Sequence, residues 1–153
     1  MAVRRLLAVL ATSAVVLGGT GAGGSASTDA TAKLRLDGAS FRPEVARTSD
    51  QRGRGLMHRL KAPADGMLFV FPGDTTSGFW MKNTLVPLAI VFFDRQGRQV
   101  QRLTMKPCRN DPCAIYEPER RYRFALELRA GDRRAAKRLA PLEALQRLSR
   151  SAT

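Results

Sequence analysis

Gly66-Met-Leu-Phe-Val-Phe71, a continuous apolar run closed by Pro72-Gly73, is the stretch that decides the fold. A short run of this kind bounded by turn formers reads as a strand buried on both sides, so other strands must flank it and other layers must cover it. The sequence downstream supplies partners. Leu88 to Phe93 is a second apolar run, Asp94-Arg-Gln-Gly97 is a turn, and Arg98 to Met105 returns as the other arm of a hairpin. Further on, Tyr122, Phe124, Leu126 and Leu128 alternate with Arg123, Ala125, Glu127 and Arg129, the period-two pattern of a strand. Upstream, Leu34 and Leu36 alternate with Lys33 and Arg35 in a half-buried first strand that turns at Asp37-Gly38. Thr48-Ser49-Asp50-Gln51 has the form of a capping box and predicts a short helix from Ser49 to Met57, with Gly55 allowing close approach to a neighbouring backbone. About six strands at short spacing with one helix inserted predict a mainly β fold, a small sandwich or barrel.

Both ends depart from this pattern. Met1 to Arg5 is a short positive segment, Leu6 to Leu17 is apolar, and Gly18 to Ala32 is rich in small residues. That order is the order of a secretory signal peptide, and the apolar run is shorter than the ~20 residues of a membrane span. The expected organisation is a signal peptide over residues 1–32, a β domain over 33–131 and a basic tail over 132–153, with no transmembrane span after cleavage. In the tail, Asp132 is a candidate helix N-cap. Leu139, Leu142, Leu145 and Leu148 recur every three residues, and Pro141 divides two short helices. Arginines and lysines surround that stripe, which either packs on the domain or lies on an acidic membrane surface.

The 153 residues carry 26 Lys and Arg against 13 Asp and Glu; without Arg4, Arg5 and Asp29 of the leader, 24 and 12 remain, a net of +12. Such a field favours anionic partners. For an exported chain, an anionic envelope surface ranks above nucleic acid. Cys108 and Cys113 flank four residues, and outside the cytosol so close a pair reads as a structural disulfide. Zinc would need two further ligands, and His58 is the only histidine, so neither a metal nor another cofactor is expected. The same scarcity argues against a nucleophile held by a histidine base, and no residue is singled out as catalytic.

Phe79-Trp-Met-Lys-Asn-Thr84 is the densest mixture of aromatic and polar groups. In an extended segment Trp80 and Lys82 share one face and Phe79 and Met81 the other. An indole plate, an ammonium and the nearby Asn83 and Thr84 can hold a sugar ring or an anionic small molecule. The plainer alternative is that Trp80 belongs to the core and Asn83-Thr84 is only a turn.

Taken in order, Arg52-Gly-Arg-Gly-Leu-Met-His-Arg59, Gly66 to Phe71, Phe79 to Thr84 with Pro87-Leu88, Tyr116, Leu126-Glu127-Leu128 and Ala130-Gly131 resemble the DUF192 (UPF0127) family. The likeness spans about Phe41 to Gly131. It implies a mainly β, sandwich-like fold in proteins that are often exported, and implies no established activity. Two departures stand out. The family pattern usually has Asp after Pro-Leu, where this chain has Ala89, and beyond Gly131 a Leu/Arg tail replaces the usual Gly-Asp ending.

Three functions follow as expectations. The first is a non-catalytic, secreted or extracytoplasmic module that binds a small polar or anionic ligand at Trp80, Lys82, Asn83 and Thr84, with Arg52 or Arg59 adding charge. The second is an adaptor or surface-adhering protein that works through its cationic exterior and tail. The third is a hydrolase or isomerase drawing on dispersed acids such as Glu127, with His58.

Overall fold

The computed structural model describes residues 31–153; the leader expected over residues 1–32 lies, up to residue 30, outside them. Ten strands and two helices follow in the order β1 (Leu34–Leu36), β2 (Ala39–Phe41), β3 (Glu44–Ala46), α1 (Ser49–Arg54), β4 (Met67–Thr75), β5 (Phe79–Trp80), β6 (Leu88–Phe93), β7 (Gln99–Met105), β8 (Ile115–Tyr116), β9 (Tyr122–Arg129), β10 (Leu139–Ala140) and α2 (Leu142–Arg150). The run that opened the sequence reading, now β4, lies inside a five-stranded sheet of order β3-β4-β9-β6-β7. Within this sheet β3 and β4 pair in parallel and the other neighbours are antiparallel. The expected hairpin forms as β6 and β7, in register from Leu88 opposite Met105 to Phe92 opposite Gln101.

Side chains alternate across this sheet, and both of its faces are covered. On one face Leu68, Val70, Val91, Phe93, Phe124 and Leu126 meet Leu34, Leu36 and Phe41 of the small β10-β1-β2 sheet, together with Leu139 and Leu145. On the other, Met67, Phe69, Ile90, Phe92 and Ala125 pack with Leu56, Met81 and Tyr122. Phe69 meets Phe79 edge-on at 5.0 Å and Phe92 meets Tyr122 at 4.8 Å, the geometry that the aromatic quadrupole favours. Neither layer closes on itself, so the fold is sandwich-like and not a barrel.

The capping box is present as read: Thr48 Oγ1 accepts from the Gln51 backbone N–H at 3.2 Å, and Gln51 Oε1 accepts from the Thr48 N–H at 3.1 Å. Three local expectations are corrected. The helix ends at Arg54 instead of Met57, because Gly55 takes φ +47° and stops it. A Cβ on Gly55 would stand 3.2 Å from Phe69 Cζ, so the close neighbour is a ring rather than backbone. β4 does not end at Pro72-Gly73 but runs to Thr75, with an irregularity in its pairing to β9 between Val70 and Thr75. Such an irregularity tolerates a residue without an N–H. Finally, the tail is helical only from Leu142. Leu139 and Ala140 pair with β1, and Asp132 caps no helix but binds Arg134 at 2.7 Å. The leucine stripe turns inward: Leu139 and Leu145 are buried and Leu148 packs against the same core, while Arg147 and Arg150 face out.

Candidate ligand-binding site

The short strand β5 pairs with β8, Phe79 opposite Tyr116 and Trp80 opposite Ile115. Extended geometry then divides the segment as its sequence suggested. Met81 is fully buried and Phe79 joins the aromatic cluster, while Trp80 remains 45% exposed. Lys82 lies on the Trp80 side, its Nζ 5.5 Å from the indole centroid. Asn83, at φ +57°, turns the chain, and the Thr84 N–H returns to the Met81 carbonyl at 3.0 Å.

Two neighbours hold this turn in place. The Asn83 carbonyl accepts from the His58 N–H at 2.8 Å, just beyond α1. From the opposite side, the Asn83 N–H donates to the Cys108 carbonyl at 2.9 Å and the Cys108 N–H donates to the Met81 carbonyl at 3.2 Å. Cys108 is disulfide-bonded to Cys113, so the covalent loop anchors the aromatic segment directly. Closing a loop this short stabilises by roughly 2 kcal/mol on the chain-entropy model. Cys108→Ser together with Cys113→Ser is therefore expected to lower the unfolding free energy by about that amount. Chemical denaturation of the two proteins at one pH measures the difference.

Beside Trp80 runs a groove of about 270 Å³ lined by Ser49, Arg52 and Gly53 of α1 and by Phe71, Ser77, Gly78, Phe79 and Trp80. Arg52, Gly53, Phe79 and Trp80 also line a smaller inner cavity of about 30 Å³, which extends past Gly55, Leu56 and Phe69 to Thr84 and Glu127. That volume is enough to hold water.

Glu127 is the unusual member of this set. It lies on β9, the middle strand, opposite Met67 on one side and Ile90 on the other. Its side chain is only 4% exposed, and it has no hydrogen-bond or ion-pair partner among the described residues. Burial without such partners pushes its pKa from 4.5 up to about 8. At neutral pH this group is chiefly a carboxylic acid, able both to donate and to accept a hydrogen bond. Thr84, also 4% exposed, brings a hydroxyl to the same cavity.

The structure brings together three of the six residues singled out from the sequence. Arg52, Trp80 and Thr84 line the cavity. Lys82 does not: its ammonium is paired with Asp111 at 2.6 Å. Asn83 contributes a backbone turn and lines neither space. Arg59 pairs with Glu44 at 2.7 Å and lines a separate hollow with Lys61 and Arg129. Even Arg52 is largely committed to the fold. It donates to the carbonyls of Arg47 at 2.7 Å, Val70 at 3.1 Å and Thr153 at 2.9 Å, and stacks on Phe71 at 4.9 Å. From the sequence Glu127 counts only among the dispersed acids of a hydrolase and not in the binding site, because alternation in β9 places it on the side opposite the apolar positions. That side is buried as well. A roomier hollow of about 310 Å³ between α2 and β9 is lined by Arg95, Arg123 and Gln146, but Arg123 there is already paired with Asp74 at 2.8 Å.

Comparison with known proteins agrees with this architecture. A protein from Sinorhizobium meliloti 1021, described as a "putative transcription regulator", superposes with a TM-score of 0.64 at 30% identity, over 72% of this chain and 93% of its own. A protein of unknown function from Novosphingobium aromaticivorans DSM 12444 shares the fold with a TM-score of 0.62 at 23% identity, over 72% of this chain and 85% of its own. No curated protein matches. The model of the DUF192 family, described as "Uncharacterized ACR", matches residues 32–138, which span the central sheet, the disulfide loop, the Trp80 groove and Glu127, and this chain is therefore a member of the DUF192 family.

Proposed function

We propose that this protein is an extracytoplasmic module that binds a small polar ligand in the groove beside Trp80. The observation that carries the reading is the continuity of lining: an exposed indole and a buried carboxyl without a partner share one wall built by α1 and Phe79. Aromatic plates with a few convergent polar groups are the usual make-up of small-molecule sites. Export is supported by the leader-like first 32 residues and by the disulfide, which persists in oxidising compartments. Among the described residues no helix is long and apolar enough to cross a membrane. Binding is favoured over hydrolysis because His58 lines neither the groove nor the inner cavity, so Glu127 has no base or nucleophile of that type beside it there. DNA reading by a helix-turn-helix requires consecutive helices, whereas seven strands separate α1 from α2.

A thermal-shift screen across sugars, nucleotides and wall fragments tests the proposal. A ligand at one hundred times its Kd stabilises by about 2.7 kcal/mol. That stabilisation is expected to vanish in Trp80→Ala and to persist in Lys82→Ala. Stabilisation by any such ligand that survives in Trp80→Ala would place the site elsewhere.

A further inference from the structure

Resting on that reading, we infer that the ligand is a neutral sugar whose ring stacks on Trp80 and whose primary hydroxyl enters the inner cavity between Glu127 and Thr84. Three observations select this chemistry. The cavity, at about 30 Å³, is small beside the 270 Å³ groove, so it takes a small group and leaves the rest of a ligand in the groove. The two polar side chains at its end, each 4% exposed, are a carboxyl and a hydroxyl, neither with a side-chain partner among the described residues. A ligand hydroxyl can serve both, accepting from the acid and donating to the threonine oxygen.

Charge excludes the nearest rivals. Besides Glu127, the charged groups lining the cavity are Arg52 and Arg54 from α1. A ligand ammonium would have to pass these cations and then ionise Glu127 in an apolar surround. A ligand carboxylate is drawn to the mouth, but at the inner end its charge would face the buried Glu127 carboxyl in an apolar surround, which disfavours a second anion. The sugar ring has its own complement outside: the exposed face of Trp80, and the hydroxyls and backbone of Ser49, Ser77 and Gly78 along the groove. Flat aromatic faces take up the apolar C–H side of a pyranose while hydroxyls at the rim meet its edge.

Three methyl glycosides that differ only at the position in question form the test: methyl glucoside, which carries the primary hydroxyl; methyl xyloside, which lacks it; and methyl glucuronide, which has a carboxylate there. Binding is read by NMR titration of the Trp80 indole N–H and the Thr84 amide on the full folded protein. The glucoside is expected to bind at least tenfold tighter than either relative, with the largest shifts at Thr84. Thr84→Val removes one hydroxyl with little change of shape, and Glu127→Leu removes the acid. Either variant should bring glucoside and xyloside to the same affinity while leaving xyloside binding unchanged, and Thr84→Val keeps the test open should the leucine variant fail to fold. Equal affinity of the three glycosides for the unaltered protein overturns the inference. Shifts at Trp80 from a nucleotide or wall fragment but from no glycoside overturn the sugar assignment and leave the groove standing. A Trp80 signal that no ligand moves overturns both.

Discussion

Between pH 4.5 and pH 8 the Glu127→Gln variant is expected to gain roughly 4 kcal/mol of stability relative to the unaltered protein. The sign follows from where the proton sits in each state. Below 4.5 the carboxyl is protonated in both the folded and the unfolded chain, and the group contributes no pH dependence. Above that value the unfolded chain releases the proton and the folded one, with its pKa raised to about 8, retains it. Folding then costs ~1.4 kcal/mol more for each pH unit until the folded carboxyl also ionises, after which the penalty is constant. Glutamine does not titrate, so its own burial cost is independent of pH and only the difference between the two profiles matters. Urea unfolding of both proteins at half-unit intervals from pH 4 to 9 measures it. Parallel profiles would mean that Glu127 is ionised and solvated in the folded protein, and the account of the inner cavity would then be wrong.

Gly66→Ala should have a comparably large effect that does not depend on pH. Gly66 has φ +70°, and a Cβ built on it would fall 2.0 Å from the Glu127 carbonyl oxygen and 3.0 Å from Leu128 Cδ2. The obstacle is the backbone of the central strand, which cannot swing aside as a flexible side chain would. A loss of roughly 3 kcal/mol or more is expected, enough to depress soluble yield sharply. Gly38→Ala separates the two causes: Gly38 also has positive φ, at +87°, but nothing lies within 4 Å of its Cβ position. There the loss should be only the ~1–2 kcal/mol cost of the left-handed conformation. Equal losses at both positions would show that sterics against β9 do not matter.

What could be read from the sequence was what is decided locally. The capping box at Thr48, the turn between β6 and β7 and the Cys108–Cys113 disulfide each depend on residues within a few positions of one another, and all three are present. Features decided by distant chain segments were harder. Leucines spaced by three around Leu139 suggested helix, yet Leu139 lies in a strand pair with Leu36, far upstream, and that pairing overrides the local period. Burial of Ala125 and Glu127 depends on Leu56 and the Phe79–Met81 segment covering the second face of the sheet, which no pattern inside β9 reveals. In the site, the aromatic plate was legible because exposure and burial alternate along β5. The roles of Lys82 and Arg59 were not, because their acidic partners, Asp111 and Glu44, come from other elements.

The position of β9 between β4 and β6 also fixes which side of the recess can yield. Moving the backbone at residue 127 would break two ladders at once, so this side of the recess is its stiff wall. The opposite side is one six-residue helix that contains Gly53 and is stopped by Gly55, joined to a turn that a single crosslink steadies. Substitutions on the helix side can therefore reshape the recess without disturbing the central sheet.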